Sequence, residues 1–283
     1  MNVLTVNNLT KSYPSFKLDA VSFSLDEGKI TGFIGRNGAG KSTTLNCLFN
    51  FVHSDSGEIS FFGLDFKKSE TEIKEKIGFV SSGVNYYPNK KIKKISAVTK
   101  MFYNKWDDAA YQKYMQMFKL DEKKTPSQLS TGMKVKYALT LALSHNADLL
   151  ILDEPTSGLD PVSRDDLLDV FMSLCDEGKT ILFSTHIISD LDKCADNIIY
   201  IKNGKIISEK AVKDFENFYK LISFDNQDAV TKYQRYLLGI KRNKDGYSAL
   251  IESNDAVHFD CEVHNADLEA IMIHIEKEAE SND

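Results

Sequence analysis

The feature that most constrains this chain is a glycine-rich segment between an apolar run and a helix-forming run. The segment reads Gly-Arg-Asn-Gly-Ala-Gly-Lys-Ser-Thr from Gly35 to Thr43. The apolar run Ile30–Ile34 predicts a buried strand before it, and residues 44–48 predict a helix after it. In that order, the backbone N–H groups of the loop and the positive end of the helix can face one anion. The segment therefore predicts a phosphate-binding loop.

The residue types in this loop suit the phosphates of a nucleotide. Lys41 is placed to reach the β- and γ-phosphates, the Ser42 hydroxyl to bind Mg²⁺, and Thr43 to contact the α-phosphate. A glycine-rich surface turn before an ordinary helix is the alternative that the motif alone leaves open. The expected nucleotide-binding positions are Gly35, Arg36, Asn37, Gly38, Ala39, Gly40, Lys41, Ser42 and Thr43.

Length and composition allow one substantial α/β domain with a smaller appendage. The chain has 283 residues, of which 42% are hydrophobic and 27% charged, and its net charge of −6 excludes an overall basic surface for nucleic acid. The four cysteines are widely spaced and form no Cys-x-x-Cys pair, which favours reduced thiols over a zinc site or a disulfide framework. No apolar stretch is long enough to span a bilayer, so we expect any membrane-spanning part to belong to another chain.

Two carboxylates close a second apolar run. Asp153 and Glu154 follow Leu149–Leu152, which is typical of a strand buried on both faces of a parallel sheet. Ligands of such sheets bind at the carboxyl ends of the strands. Asp153 can hold Mg²⁺ directly or through water, and Glu154 can polarise an attacking water as general base. A solvated acidic turn is the alternative.

Three further residues become candidates by their position. His186 follows the buried-strand pattern Thr180–Thr185 and is expected to contact a γ-phosphate at the same edge of the sheet. Ser130 is suited to cap the helix predicted at Lys134–Leu143, which makes a second helix N-terminus that could face phosphate. Tyr13 could stack on a purine or simply cover a sheet edge.

Together these motifs resemble the nucleotide-binding subunits of ABC transporters, over about Val3 to Ile207. Gly35–Ser42 matches the Walker A motif, Leu129–Met133 the signature, Leu149–Asp153 with Glu154 the Walker B motif, Ser157–Asp160 the D-loop and His186 the H-loop. Tyr13 matches the adenine-stacking aromatic of the family. The resemblance implies a head-to-tail dimer, in which Ser130, Thr131, Gly132 and Met133 of one subunit complete the ATP site of the other.

Two motifs depart from the family pattern. The signature has Thr131 and Met133 where the family commonly has glycine and glutamine. The loop after Val80 lacks the usual glutamine, and Ser82 stands near its position. Because a serine cannot reach as far, coupling to a membrane subunit is expected to use Asn85 or water, or to be altered.

The predicted fold is α/β: a P-loop NTPase core of the ABC ATPase type with an antiparallel β subdomain, a helical subdomain and a small α+β C-terminal extension. The ATPase domain is expected at residues 1–215, with the helical subdomain at about 84–146, and the accessory domain at residues 216–283. Val3–Leu9 is predicted as an edge strand, and the pattern reads as helical from about Ile92 to Leu120. The extension is similar to those of bacterial exporters of antibiotic or cytolytic peptides.

The resemblance implies an ATPase that uses ATP and Mg²⁺ and powers a permease on a separate chain. It implies a homodimer or a heterodimer with a related ATPase, at the cytoplasmic face of the membrane, and no nucleic-acid partner. Export of antimicrobial or cytolytic peptides or drugs is the favoured transport. A soluble ABC ATPase acting on ribosomes or DNA, and a regulator that binds ATP with little hydrolysis, are the alternatives.

Overall fold

The strand before the glycine-rich loop lies inside a six-stranded sheet in a computed structural model that describes residues 2–81 and 87–280. The chain divides into two units, Met1–Glu209 and Lys210–Asp283. The strands that begin before that division are β1 (Asn2–Tyr13), β2 (Phe16–Asp26), β3 (Ile30–Ile34), β4 (Ser56–Phe61), β5 (Leu64–Asp65), β6 (Ile77–Ser81), β7 (Leu149–Asp153), β8 (Thr180–Thr185), β9 (Asn197–Lys202) and β10 (Lys205–Ala211). The helices of the first unit are α1 (Lys41–Leu48), α2 (Phe66–Glu75), α3 (Ile92–Lys100), α4 (Asp108–Met117), α5 (Thr131–Ser144), α6 (Pro161–Asp176) and α7 (Ile188–Cys194).

The six-stranded sheet has the order β10-β9-β3-β8-β7-β6. Strands β9, β3, β8, β7 and β6 are parallel, so their carboxyl ends lie along one edge. Strands β3 and β8 are buried along their whole length, as is typical of interior strands that are covered on both faces of a parallel sheet. The predicted parallel arrangement is confirmed, and it places the loops after β3, β7 and β8 at the same edge.

A second sheet, of order β2-β1-β4-β5, is antiparallel. Strand β1 pairs with β2 on one side and β4 on the other, so the prediction of an edge strand was wrong. Alternation along Val3–Leu9 reports one buried face and carries no information about how many neighbours bind the backbone. Phe23 of this sheet and Phe33 of the parallel sheet belong to one hydrophobic cluster, which joins the two sheets.

The segment between β6 and β7 contains helices α3, α4 and α5. The helical pattern predicted from Ile92 to Leu120 is broken between α3 and α4, because Asp107 caps a new helix by accepting hydrogen bonds from Ala109 N and Ala110 N. The helices meet around buried hydroxyls. Tyr137 Oη donates to Ile92 O at 3.1 Å and contacts Ser96 Oγ at 2.9 Å.

The second unit is a small α+β body. Its further elements are α8 (Val212–Phe218), β11 (Tyr219–Phe224), α9 (Gln227–Tyr233), β12 (Leu238–Asn243), β13 (Gly246–Glu252), β14 (Val263–Asn265) and α10 (Leu268–Glu280). The strands form an antiparallel sheet of order β12-β13-β11-β14. Among the helices in residues 2–81 and 87–280, none combines the length and apolar character needed to cross a bilayer.

Candidate active site

The glycine-rich loop is held close to neighbouring backbone. A Cβ added at Gly35 would lie 2.3 Å from the carbonyl oxygen of Ile201 in β9, which leaves no room for a side chain. Gly40 has a φ of 114°, a conformation that side-chain-bearing residues rarely adopt. Ala39 N donates to Arg36 O at 3.1 Å and closes the turn. The loop therefore needs glycine for both packing and backbone conformation.

Helix α1 begins at Lys41, directly after this loop. The residue at its N-cap is Gly40, which has no side chain to accept the N–H groups of the first turn. Those N–H groups and the helix dipole favour an anion at this end. The structure thus supports the sequence-based prediction of a phosphate-binding geometry.

Lys41 crosses the loop and meets the acidic end of β7. Its side chain is 5% exposed, and its ammonium donates to Gly35 O at 2.6 Å and to Arg36 O at 3.4 Å. The same Nζ lies 3.4 Å from Glu154 Oε1, so a cation and an anion predicted from separate motifs are adjacent.

Asp153 and Ser42 bring two oxygen atoms together. Ser42 Oγ donates to Asp153 Oδ1 at 3.3 Å, and Ser184 Oγ donates to the same oxygen at 2.6 Å. Hydroxyl and carboxylate oxygens are the donors that Mg²⁺ prefers, and Mg²⁺ often takes only one or two protein carboxylates beside substrate phosphates. The donor set therefore fits Mg²⁺ arriving with a nucleotide.

Glu154 and His186 form the second close pair at this edge. His186 Nδ1 lies 2.8 Å from Glu154 Oε2, and the two side chains are 44% and 18% exposed. Glu154 has a φ of 51°, an uncommon backbone conformation for a residue with a side chain. Its N–H donates to Ser184 Oγ at 2.9 Å, which helps to hold that conformation. Strain of this kind is concentrated at functional sites.

A cleft of about 660 Å³ contains most of these groups. Its lining residues come from the glycine-rich loop, from the ends of β7 and β8, and from the turn between β1 and β2. They are Ser15, Phe16, Arg36, Asn37, Gly38, Gly40, Lys41, Ser42, Thr43, Glu154, Ser157 and His186.

The turn between β1 and β2 contributes an aromatic that sequence reasoning missed. Phe16 lines the cleft, whereas Tyr13, the predicted aromatic, is 42% exposed and pairs with Phe16 across the hairpin. A Cβ at Gly40 would lie 2.9 Å from Phe16 Cζ, so the ring packs directly on the loop. The available signal was a second aromatic in the same turn as Tyr13.

The signature residues lie at the start of α5. Ser130 Oγ accepts a hydrogen bond from Met133 N at 3.3 Å, so the predicted cap is confirmed, and α5 begins at Thr131 rather than Lys134. Among the described residues that line the cleft, none comes from Ser130, Thr131, Gly132 or Met133. One chain therefore does not bring its own signature residues into its own cleft.

Asp160, the predicted D-loop residue, is not one of the residues that line the cleft. Asp160 caps α6, accepting from Ser163 Oγ at 2.6 Å and from Ser163 N at 3.0 Å, and these hydrogen bonds lower the pKa of the Asp160 carboxyl. Ser82 and Asn85 fall outside the described residues.

The arrangement defines a class of protein. A strand, a glycine-rich loop and a helix, with a lysine facing the acidic end of a parallel strand, are the parts of a P-loop nucleotide-binding ATPase.

Comparison with known proteins narrows that class. A family model described as ABC transporter matches residues 18–157. The bacitracin transport ATP-binding protein BcrA of Bacillus licheniformis is 30% identical over 99% of this chain and 88% of that relative. The lantibiotic transport ATP-binding protein SrtF of Streptococcus pyogenes is 35% identical over 80% of this chain and 97% of that relative. A solved ATP-binding subunit of an ABC transporter is 26% identical, with a TM-score of 0.68, over 76% of this chain and 92% of that one.

The chain therefore belongs to the ATP-binding subunits of ABC transporters. Its predicted fold class is confirmed, and it binds and hydrolyses ATP.

Proposed function

We propose that this ATPase drives the export of antimicrobial peptides or chemically similar drugs through a permease on a separate chain. The ATPase activity in this proposal rests on one observation: Glu154 contacts both Lys41 and His186, and all three residues line the cleft. The cargo is supported by the names of the relatives for bacitracin and lantibiotics. The bacitracin relative also aligns over nearly the whole chain, including the second unit.

The residues of the cleft divide the work of phosphoryl transfer, which depends mainly on positioning and charge neutralisation. Lys41 and the loop N–H groups hold the β- and γ-phosphates, and Glu154 orients the attacking water as general base. His186 holds Glu154 and contacts the γ-phosphate. Mg²⁺, when bound at Ser42 and Asp153, neutralises phosphate charge.

The nucleotide base and α-phosphate are bound at the other side of the cleft. Thr43 contacts the α-phosphate, and the aromatic turn with Tyr13 and Phe16 packs on the adenine face. Phe16 is the ring that lines the cleft of a single chain.

Two chains together form each complete site. The N-terminus of α5 is suited to phosphate, and both its capping residue Ser130 and its first residue Thr131 are exposed. Since they do not line the cleft of their own chain, we assign them to the nucleotide held by a second copy or by a related ATPase. Asp160, the D-loop residue that caps α6, is assigned to the same two-chain assembly.

The permease is proposed to dock on an apolar surface beside the end of α2. Phe51 lies under Lys74 of α2, with the Nζ 5.9 Å from the ring centre, and Asn104 Nδ2 donates to Glu75 Oε1 at 2.7 Å. Segments that precede and follow α2 in the sequence, around Phe51 and around Asn104, therefore both contact the end of this helix. Their exposed apolar side chains include Phe51 at 61%, Met101 at 82% and Phe102 at 76%. Docking there makes the chain a peripheral protein at the cytoplasmic face of the membrane.

Co-purification tests this proposal. Affinity-tagged chain is recovered from detergent-solubilised membranes, bound proteins are identified, and ATPase activity is measured with and without them. We expect a membrane-spanning partner, and we expect Phe102→Ser to lose it while the ATPase activity of the isolated chain is retained. Val257→Ser, an exposed apolar site in the second unit at 83%, is the matched control. Salt-sensitive binding to nucleic acid with no membrane partner would instead support a soluble ABC machine.

A further inference from the structure

Asp190 is a buried carboxylate that joins the two segments carrying Glu154 and His186. It lies in the first turn of α7 and is 1% exposed. Its Oδ2 accepts from Thr156 Oγ1 at 2.6 Å and lies 3.5 Å from Thr185 Oγ1. Thr156 is two residues after Glu154, and Thr185 directly precedes His186. One oxygen atom therefore contacts both segments of the catalytic edge.

The other oxygen of this carboxylate faces a third segment. Asp190 Oδ1 lies 3.9 Å from Arg164 Nε in α6, and both atoms are buried without a hydrogen-bond partner in the structure. Arg164 Nη2 also donates to Leu159 O, at 3.5 Å, in the loop before α6. A charge-assisted hydrogen bond would need these two atoms only about 1 Å closer. We call Asp190 with Thr156, Thr185 and Arg164 the clamp. In this structure Asp190 is hydrogen-bonded to Thr156 but not to Arg164.

Neighbouring groups oppose the effect of burial on the Asp190 carboxyl. Burial raises the pKa of the Asp190 carboxyl, while the hydrogen bond from Thr156 and the charge of Arg164 oppose that rise. A buried carboxylate is unfavourable unless such partners hold it. Its contacts on three separate segments offset part of the cost of burial and connect the positions of those segments.

We propose that Asp190 is a positioning residue that sets the distance between Glu154 and His186, and that Arg164 links this setting to the loop before α6. The proposal rests on the catalytic roles assigned above to Glu154 and His186. Asp190 does not touch the reacting groups; it contacts Thr156 and Thr185, which are neighbours of Glu154 and His186 in the chain, and so affects where those two side chains lie. A displacement of about 1 Å in a catalytic group can reduce turnover by about 100-fold.

The clamp is tested by two variants, Asp190→Asn and Thr156→Val, each compared with a control. Asp190→Asn keeps the shape of the side chain but removes the charge that faces Arg164. Thr156→Val removes the hydroxyl that donates a hydrogen bond to Asp190, whereas Thr156→Ser keeps that hydroxyl. We expect Asp190→Asn and Thr156→Val to lower kcat by roughly 10- to 100-fold with little change in the KM for ATP, since Lys41 and the loop hold the phosphates independently. Thr156→Ser should restore most of the turnover.

Asp165→Asn is the matched control, because it removes an exposed ion pair between Asp165 and Lys193 that joins the same two helices, α6 and α7. It should leave kcat unchanged. Thermal unfolding of every variant separates a loss of folded protein from a loss of positioning.

Three results would overturn the clamp: wild-type kcat in Asp190→Asn, equal activity in Thr156→Val and Thr156→Ser, or an equal loss in Asp165→Asn. Glu154→Gln, measured in parallel, separates this failure from a failure of the proposed catalytic role. If Glu154→Gln is inactive while Asp190→Asn turns over normally, only the clamp is refuted. If Glu154→Gln turns over normally, the catalytic role and the clamp both fail.

Discussion

Replacing Glu154 by glutamine removes the negative charge of this side chain and keeps its size and shape. The carboxylate has two side-chain contacts, Lys41 Nζ at 3.4 Å and His186 Nδ1 at 2.8 Å. A glutamine amide oxygen can still accept from the imidazole, but the negative charge beside Lys41 is lost. Since Lys41 is then free of that neighbouring charge, binding of the ATP polyanion should be retained or strengthened.

Turnover is expected to fall steeply in the same variant. Loss of a general base costs roughly 100- to 10,000-fold in rate, which corresponds to about 3–5 kcal/mol of activation free energy. Phosphate release measures kcat, and binding of a fluorescent ATP analogue measures affinity. Size-exclusion chromatography with Mg²⁺ and ATP should show an accumulated two-chain complex, because the nucleotide that holds the chains together is not hydrolysed.

The control for this prediction is Glu70→Gln. Glu70 pairs with Lys74 on the exposed face of α2, so that substitution removes a carboxylate far from the chemistry. It should leave turnover unchanged. Wild-type turnover in Glu154→Gln, with normal ATP binding, would refute the role assigned to Glu154.

Three further predictions concern the loop, the helical segment and the second unit. Gly35→Ala should weaken ATP binding by about tenfold or more, because its Cβ would lie 2.3 Å from Ile201 O and the loop must shift; equilibrium binding measures this loss. Tyr137→Phe should lower the free energy of unfolding by about 1–2 kcal/mol in urea, because the buried hydrogen bond to Ile92 O is lost. His274 is buried, and burial lowers its pKa, so the unfolded chain binds the proton more readily. The unfolding free energy of the second unit should therefore fall as pH drops from about 7 toward 5, by at most about 1.4 kcal/mol per pH unit, and His274→Gln should reduce that slope in urea titrations.

Each of these expectations has a result that contradicts it. Unchanged ATP affinity in Gly35→Ala would mean that the loop tolerates a side chain against β9. Wild-type stability in Tyr137→Phe would mean that water or another group replaces the phenol. An identical pH slope in His274→Gln and the parent chain would mean that other groups carry the acid sensitivity.

The catalytic edge could be predicted because its signals are local. Gly35–Ser42 specifies a strand end, a loop and a helix start within a few residues, and Asp153 and Glu154 mark the end of an apolar strand. Once the strands are parallel, their carboxyl ends must share one edge of the sheet. The meeting of Lys41, Glu154 and His186 follows from that rule.

Other features depended on contacts between distant parts of the chain. Strand β1 is interior because β4, more than forty residues later, pairs with its free side. Phe16 reached the cleft through the packing of a hairpin on the glycine-rich loop.

The amino-acid sequence by itself determined the class of protein, the elements of the nucleotide site and the α/β fold, because glycine conformations, helix starts and buried strands are encoded within short segments. Tertiary structure alone decided the neighbours of β1, the aromatic beside the loop and the contacts of Asp190 with Thr156 and Arg164. Those contacts depend on register and packing between segments far apart in the chain, and no local pattern specifies them.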